Sequence, residues 1–271
     1  MPLDSAYVQL SYWDVGLASV FLVLNALLSV WLRLGLERQI VVSATRMVVQ
    51  LFLVGLVLRT VFAIGSVWPT LLVACVMAGF AAFEIRARQS RRLSGLWGFS
   101  LGGGAMLLAG SVVTLSALMV QIQPQPWWSP QYAIPLFGMI LGNTMTGISL
   151  GLDSLQESLY RDRRAVEAQL MLGRSRWRAV QPATRRALRG GFTPIINAMA
   201  ATGVVSLPGM MTGQILAGVD PREAVKYQLL VMFLICGATG LGVIAAVFAS
   251  AWRLTDKRDR LRLDRMVRAP T

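Results

Sequence analysis

The sequence predicts an all-α polytopic membrane bundle of seven transmembrane helices, N-terminus outside and C-terminus inside, with one helix broken near Pro208-Gly209. Three observations lead there. Apolar side chains make up 55% of the 271 residues and mean hydropathy is +0.58, in runs too long and too numerous for a soluble core. Of the 26 Lys and Arg, 22 fall in four segments at or beyond the ends of those runs, the pattern of the positive-inside rule. Within the stretch Val204–Gln214, Pro208 removes a backbone donor and disfavours helix at Leu207, while Gly209 readily takes a positive φ.

Met1–Asp14 lacks the basic residue of a signal peptide and carries Asp4 and Asp14, so the first span is expected to be retained. That span is Val15–Leu34, with Arg33, Glu37 and Arg38 around its end. Ile40–Leu58 is the second and holds Arg46 and Gln50. The third, Val67–Ile85, follows a Gly65-Ser66 turn and leads into Arg86, Arg88, Arg91 and Arg92. Leu96–Val120 is the fourth, and its Gly102-Gly103-Gly104 suits close helix approach. The uncharged Gln121–Gln131, with Trp127 and Trp128, reads as an outer loop with interfacial aromatics.

The fifth span, Ala133–Leu152, gives way to the long charged segment Asp153–Gly190, and the sixth begins at Gly191. A continuous helix from Gly191 to Gly218 would run about 42 Å against a hydrocarbon core of roughly 30 Å. A break near Leu207, followed by a re-entrant or half-helical Met210–Gly218, fits better; a tight turn at the outer surface is the plainer alternative. Asp220 as N-cap, Pro221 at the first helical position and Glu223 at the third open the seventh span, which reaches Trp252. Residues 1–252 thus read as one transmembrane domain, with 153–190 a cytoplasmic segment inside it, and 253–271 as a basic cytoplasmic tail.

The chain has no histidine, which excludes HExxH zinc sites, Ser-His-Asp and Cys-His catalysis and His-ligated metals. Paired intramembrane carboxylates are absent too, so an intramembrane enzyme is disfavoured. Cys75 and Cys236 each lie in an apolar span and suggest no disulfide framework. The net charge of +13 does not point to nucleic acid, because the basic residues sit where membrane topology puts them. A nucleotide-binding P-loop needs G-x-x-x-x-G-K-[ST], and the two lysines, Lys226 and Lys257, precede Tyr227 and Arg258. Any ATP and Mg²⁺ that drive this chain must therefore bind on another polypeptide.

Asp153–Gly190 is where that polypeptide could dock. Leu152, Leu155, Leu159, Val166 and Leu170 recur at helical spacing among charged residues, Gly173 is a C-cap candidate, and Ser175 could start a second helix. Glu167-Ala168-Gln169-Leu170-Met171-Leu172-Gly173 resembles the E-A-A-x-x-x-G coupling loop of ABC-importer permeases, with Gln169 in place of the second alanine. A solvated amphipathic linker lying on anionic lipid is the competing reading. In the second span, Arg46 either pairs with Glu84 of the third or snorkels to the headgroups. Gly138–Gly142 and Gly147–Gly151 are G-x-x-x-G patterns that suit helix packing, while Asn143, Thr146 and Asn197 are polar groups able to line a path. Met210 and Met211 either pack or offer soft thioether ligands, and Thr212 and Gln214 lie on the same segment.

Gly138-Met-Ile-Leu-Gly-Asn-Thr-Met-Thr-Gly147, Val205-Ser-Leu-Pro-Gly-Met-Met-Thr-Gly-Gln-Ile-Leu-Ala-Gly218 and Asp220-Pro-Arg-Glu-Ala-Val-Lys-Tyr-Gln228 resemble the FetB family. These are permease subunits of bacterial ABC transporters assigned to iron export, with plant relatives linked to aluminium tolerance. The resemblance implies an inner-membrane permease domain, a FetA-like ATPase partner that carries the ATP and Mg²⁺, and two permeases with two ATPases. It strengthens the docking reading of Glu167–Gly173, with Arg164, Glu167, Ala168 and Gly173 as the coupling candidates, and leaves the metal ligands unknown. A secondary transporter or channel for a small solute, needing no ATPase, is the alternative; the scarcity of membrane-embedded Asp, Glu or His disfavours proton coupling.

Overall fold

The computed structural model describes residues 11–256 and 258–268. The readings that fall on residues 1–10, on Lys257 and on the last three residues of the tail lie outside them. The helices are α1 (Tyr12–Trp31), α2 (Glu37–Ile64), α3 (Val67–Ala87), α4 (Trp97–Ser116), α5 (Pro130–Arg161), α6 (Arg163–Met171), α7 (Arg176–Ala201), α8 (Gly209–Leu216) and α9 (Pro221–Arg253). A π-helical turn, Ala117–Ile122, prolongs α4. Two short strands, β1 (Arg91–Leu93) and β2 (Met266–Arg268), pair antiparallel with Leu93 opposite Met266, a small addition to the expected all-α bundle.

Six helical segments among the described residues are long and apolar enough to cross a membrane: α1, α2, α3, α4 with its π turn, α5 and α9. The expected sixth span, from Gly191, is different in kind. Its residues belong to α7, whose first half carries Arg176, Arg178, Arg185, Arg186 and Arg189. Only residues 190–201 are free of charge, about 18 Å of helix, short of a roughly 30 Å core.

The chain divides into two compact units. One comprises the described residues through Gly65, with Leu216–Gly218. Here α1 and α2 form a hairpin. Ser11 caps α1 through a box in which it accepts from Trp13 N–H at 3.3 Å and Asp14 accepts from Ser11 N–H at 2.8 Å. In the turn between the helices, Ser29 donates to Glu37 Oε2 and accepts from Leu36 N–H, both at 3.0 Å. Arg46 lies exposed on α2.

The other unit, Ser66–Ile215 with Val219 onward, is built around α5. Ile148, Leu152, Leu155 and Leu159 of α5 are at most 2% exposed, packed with Ile85, Met106, Ala187 and Val243. A second cluster joins Leu136, Ile140, Ile195, Val231 and Ile235. Glycine lets the backbones close in. A methyl on Gly191 would stand 2.9 Å from the Gly147 carbonyl oxygen and 2.6 Å from Val243 Cγ1. One on Gly103 would stand 2.7 Å from Ala82 Cβ, the close approach expected of the Gly102–Gly104 run. Of the two G-x-x-x-G patterns, Gly147–Gly151 packs on both α7 and α9, whereas Gly142 faces open space.

The tail folds back onto this unit. Leu261, Leu263 and Met266 pack against the main core, Ser94 N–H donates to Arg265 C=O at 2.8 Å, and Arg262 N–H donates to Leu254 C=O at 2.8 Å.

Candidate functional site

Two regions of the larger unit gather the sequence-predicted residues. The first is the charged segment after the fifth span. The periodic apolar residues read there continue α5 well past Leu152: Leu155 and Leu159 are fully buried, and Val166 of α6 is 5% exposed. The α6 helix ends in a Schellman motif, with Gly173 at φ +79°, its N–H on Leu170 C=O at 3.0 Å and Arg174 N–H on Gln169 C=O at 3.1 Å. Ser175 begins α7 as expected, but its side chain is not the cap. Asp259 of the tail accepts from Arg176 N–H at 2.9 Å, a long-range cap that spacing along the sequence does not reveal.

Arg164, Glu167, Ala168 and Gly173 are all exposed on this α6–turn unit. Between them the turn holds out Met171 and Leu172, 88% and 82% exposed, two apolar side chains that the sequence pattern alone did not single out. The base below is tied down. Asp162 pairs with Arg186 of α7, Ser90 donates its hydroxyl to Asp153 Oδ1 at 2.6 Å, and Arg91 bonds Glu157 at 3.0 Å while stacking 3.3 Å over the Tyr160 ring. Beneath these, Gln156 donates to Gln89 Oε1 at 3.0 Å, and both are buried. The base is thus tied by ion pairs and hydrogen bonds, and the tip it carries is exposed and partly apolar.

The tail that supplies Asp259 has its own charge clasp. Arg262 grips Asp264 with two 2.8 Å hydrogen bonds, and this fork holds the Asp264 carboxyl down to about 2. Asp256 is also lowered, desolvation being outweighed by hydrogen bonds from Arg260 and Arg258.

The second region is the break after α7. The helix ends at Ala201, sooner than the expected Leu207: Thr202 is extended, Gly203 takes φ +95°, and Val205 and Ser206 N–H both return to Ala201 C=O. Gly203 therefore makes the break, and Pro208 is its far lip, its carbonyl accepting from Thr212 N–H at 3.0 Å at the start of α8. Gly209 opens that helix without a positive φ. Met210 packs against the second core cluster, Met211 and Thr212 are half-buried, and the Gln214 Oε1 is buried with no hydrogen-bond partner among the described residues.

Asn143 and Thr146 share a face of α5 with Gly142; Asn143 is exposed and Thr146 half-buried, and each donates only to the α5 backbone four residues back. Asn197 is exposed on the apolar half of α7. The structure brings no hydrogen bond between these predicted path residues among the described ones. Glu84, on α3, is 3.5 Å from Arg88. No group of three His, Cys, Asp or Glu able to hold a metal occurs among the described residues.

Comparison with known proteins bears out the resemblance read from the motifs. A family model described as "Uncharacterised protein family (UPF0014)" matches residues 12–254. The chain is 39% identical to the UPF0014 membrane protein slr1647 of Synechocystis over 93% of its length and 96% of the relative's. It is 29% identical to the "Probable iron export permease protein FetB" of Escherichia coli, covering 92% and 93% of the two chains. With the Arabidopsis thaliana "Protein ALUMINUM SENSITIVE 3" it shares 32% identity, covering 85% of this chain and 82% of the other. No solved structure matches the chain.

Proposed function

The chain belongs to the UPF0014 family, and from that premise we propose that it is the permease subunit of an ABC transporter, exporting iron or another metal with ATP hydrolysed by a separate, FetA-like subunit. In this reading the protein lies in the inner membrane, N-terminus out, and the apolar half of α7 with the Gly203–Pro208 turn completes a seventh crossing.

The observation that carries the proposal is the α6 tip. Met171 and Leu172 stand almost fully exposed on a helix whose opposite side is anchored through Val166 and Asp162. Apolar side chains held out in this way are buried only against another surface, an ATPase cleft in this reading or the lipid face in the competing one, and ATPase binding after altering the tip separates the two. Arg164, Glu167 and Arg174 around the tip supply the polar rim. The polar face of Gly142, Asn143 and Thr146 supports a second permease copy or a wet path beside α5, because an amide facing hydrocarbon is costly. The cargo then passes neutral oxygen, nitrogen and thioether groups of Asn143, Thr146, Asn197, Met210, Met211, Thr212 and Gln214. That set favours a weakly held ion over a tightly ligated one.

The test uses the full chain in membranes with its ATPase. Glu167→Lys and Gly173→Trp are expected to abolish ATPase association and ATP-driven transport while insertion stays normal. Normal association and turnover in both variants would remove the α6 tip from the coupling path.

A further inference from the structure

A cavity of about 200 Å³ lies where the start of α7 meets the end of α9, walled by Arg176, Trp252, Arg253, Thr255, Asp256 and Arg265. It is several times the roughly 30 Å³ share of a water molecule. Three guanidinium groups border it, and none has a carboxylate ion-pair partner among the described residues. Arg265 donates Nη1 to the Arg253 carbonyl at 2.6 Å, which fixes the tail as one wall. Arg253 lies 4.6 Å over the Trp97 ring and Arg176 is 5.5 Å from that of Trp177. The single carboxylate of the lining, Asp256, is already occupied by Arg260 Nε at 2.8 Å and by the N–H groups of Arg258 and Arg260 at 3.0 and 2.9 Å. The cavity is left with an excess of positive charge.

Its surroundings place it at the level where the apolar helices end. Trp97, Trp177 and Trp252, all between 41% and 50% exposed, cluster at this end of the unit, where the apolar runs of α4 and α9 begin and stop. Tryptophan at the ends of apolar helices marks the headgroup level of a bilayer, and basic pockets between helices at that level suit phosphate-bearing lipids. We propose that this cavity binds the headgroup of an anionic phospholipid, its phosphate held by Arg176, Arg253 and Arg265. The Trp252 indole then borders the glycerol and first acyl carbons. Such a lipid ties the first residue of α7 to the end of α9 and to the folded tail. Because α7 begins three residues after Gly173, the lipid also steadies the base of the α6 tip. The site depends on membrane embedding alone, so it stands or falls independently of ATP-driven export.

Native mass spectrometry of the full chain, titrated with cardiolipin, with phosphatidylcholine and with inorganic phosphate, tests this. Cardiolipin is expected to give a discrete adduct that phosphatidylcholine does not match and excess inorganic phosphate does not displace. Loss of one arginine should weaken it about fivefold, and Arg176→Gln with Arg253→Gln about 25-fold. Arg185→Gln, which removes the same charge from an exposed position of α7 outside the cavity, should leave it unchanged. Should the double variant not fold, Arg176→Gln alone carries the test. Equal binding of phosphatidylcholine, displacement by phosphate, or unchanged cardiolipin affinity in Arg176→Gln would each overturn the proposal.

Discussion

Replacing Met171 and Leu172 with alanine separates docking from folding. In the free chain these side chains are 88% and 82% exposed, so truncating them removes almost no packing and should leave thermal stability within about 0.5 kcal/mol of wild type. In the proposed complex both become buried. Full burial of a Leu or Met side chain contributes about 1.5–3 kcal/mol, and truncation to alanine forfeits most of it. Allowing ~1.5 kcal/mol each, the double variant should bind its ATPase subunit about 100-fold more weakly. The neighbouring Val166 supplies the opposite case. It is 5% exposed beneath α6, and Val166→Ala should cost ~2 kcal/mol of stability from lost transfer energy and the cavity left behind. A binding isotherm with the purified ATPase, alongside thermal melts, reads both quantities. ATPase affinity within twofold of wild type in the Met171/Leu172 variant would refute the reasoning, as would a loss of stability there equal to that of Val166→Ala.

Three further outcomes follow from the geometry. Gly191→Ala places a methyl 2.6 Å from Val243 Cγ1 and should destabilise the bundle by about 1–3 kcal/mol in a thermal melt, whereas Gly104→Ala, with open space at that position, should not. Because the Arg262 fork depresses the Asp264 pKa to about 2, its contribution to tail folding is full above the ordinary value of 3.8 and fades as pH falls through about 2. Hydrogen exchange of β2 should therefore show a pH-dependent loosening below about 4 that Asp264→Asn removes. Asn143→Leu with Thr146→Val should lower transport at unchanged stability, since both side chains bond only their own helix; an unchanged ion profile would return that face to lipid or packing.

Five of the apolar spans were legible because each is a long, predominantly apolar run bounded by basic residues or turn signals, and the Asp220-Pro221 start of α9 is where local chemistry put it, with Asp220 accepting from Arg222 N–H at 2.8 Å. The continuation of α5 to Arg161 was legible from the spacing of Leu152, Leu155 and Leu159. Gly173 was legible as a cap because only a residue tolerant of positive φ closes a Schellman turn. Other features were hidden because they depend on partners far along the chain. Gly191 looked like the start of a span, yet its role is set by Gly147 and Val243. The tail read as a polar extension because its charges are dense, but Asp259 and Arg265 spend theirs on α7 and α9. Pro208 drew attention as the stronger helix breaker, while Gly203 ends the helix first.

The central claim is ATP-driven export through this chain, and its most direct test is uptake of a metal panel into inside-out vesicles bearing this chain and its ATPase. The account predicts ATP-dependent accumulation of iron, or of another metal from the panel, that disappears when either subunit is omitted. No ATP-dependent uptake of any metal, with the ATPase shown to be bound and hydrolysing ATP, would contradict it.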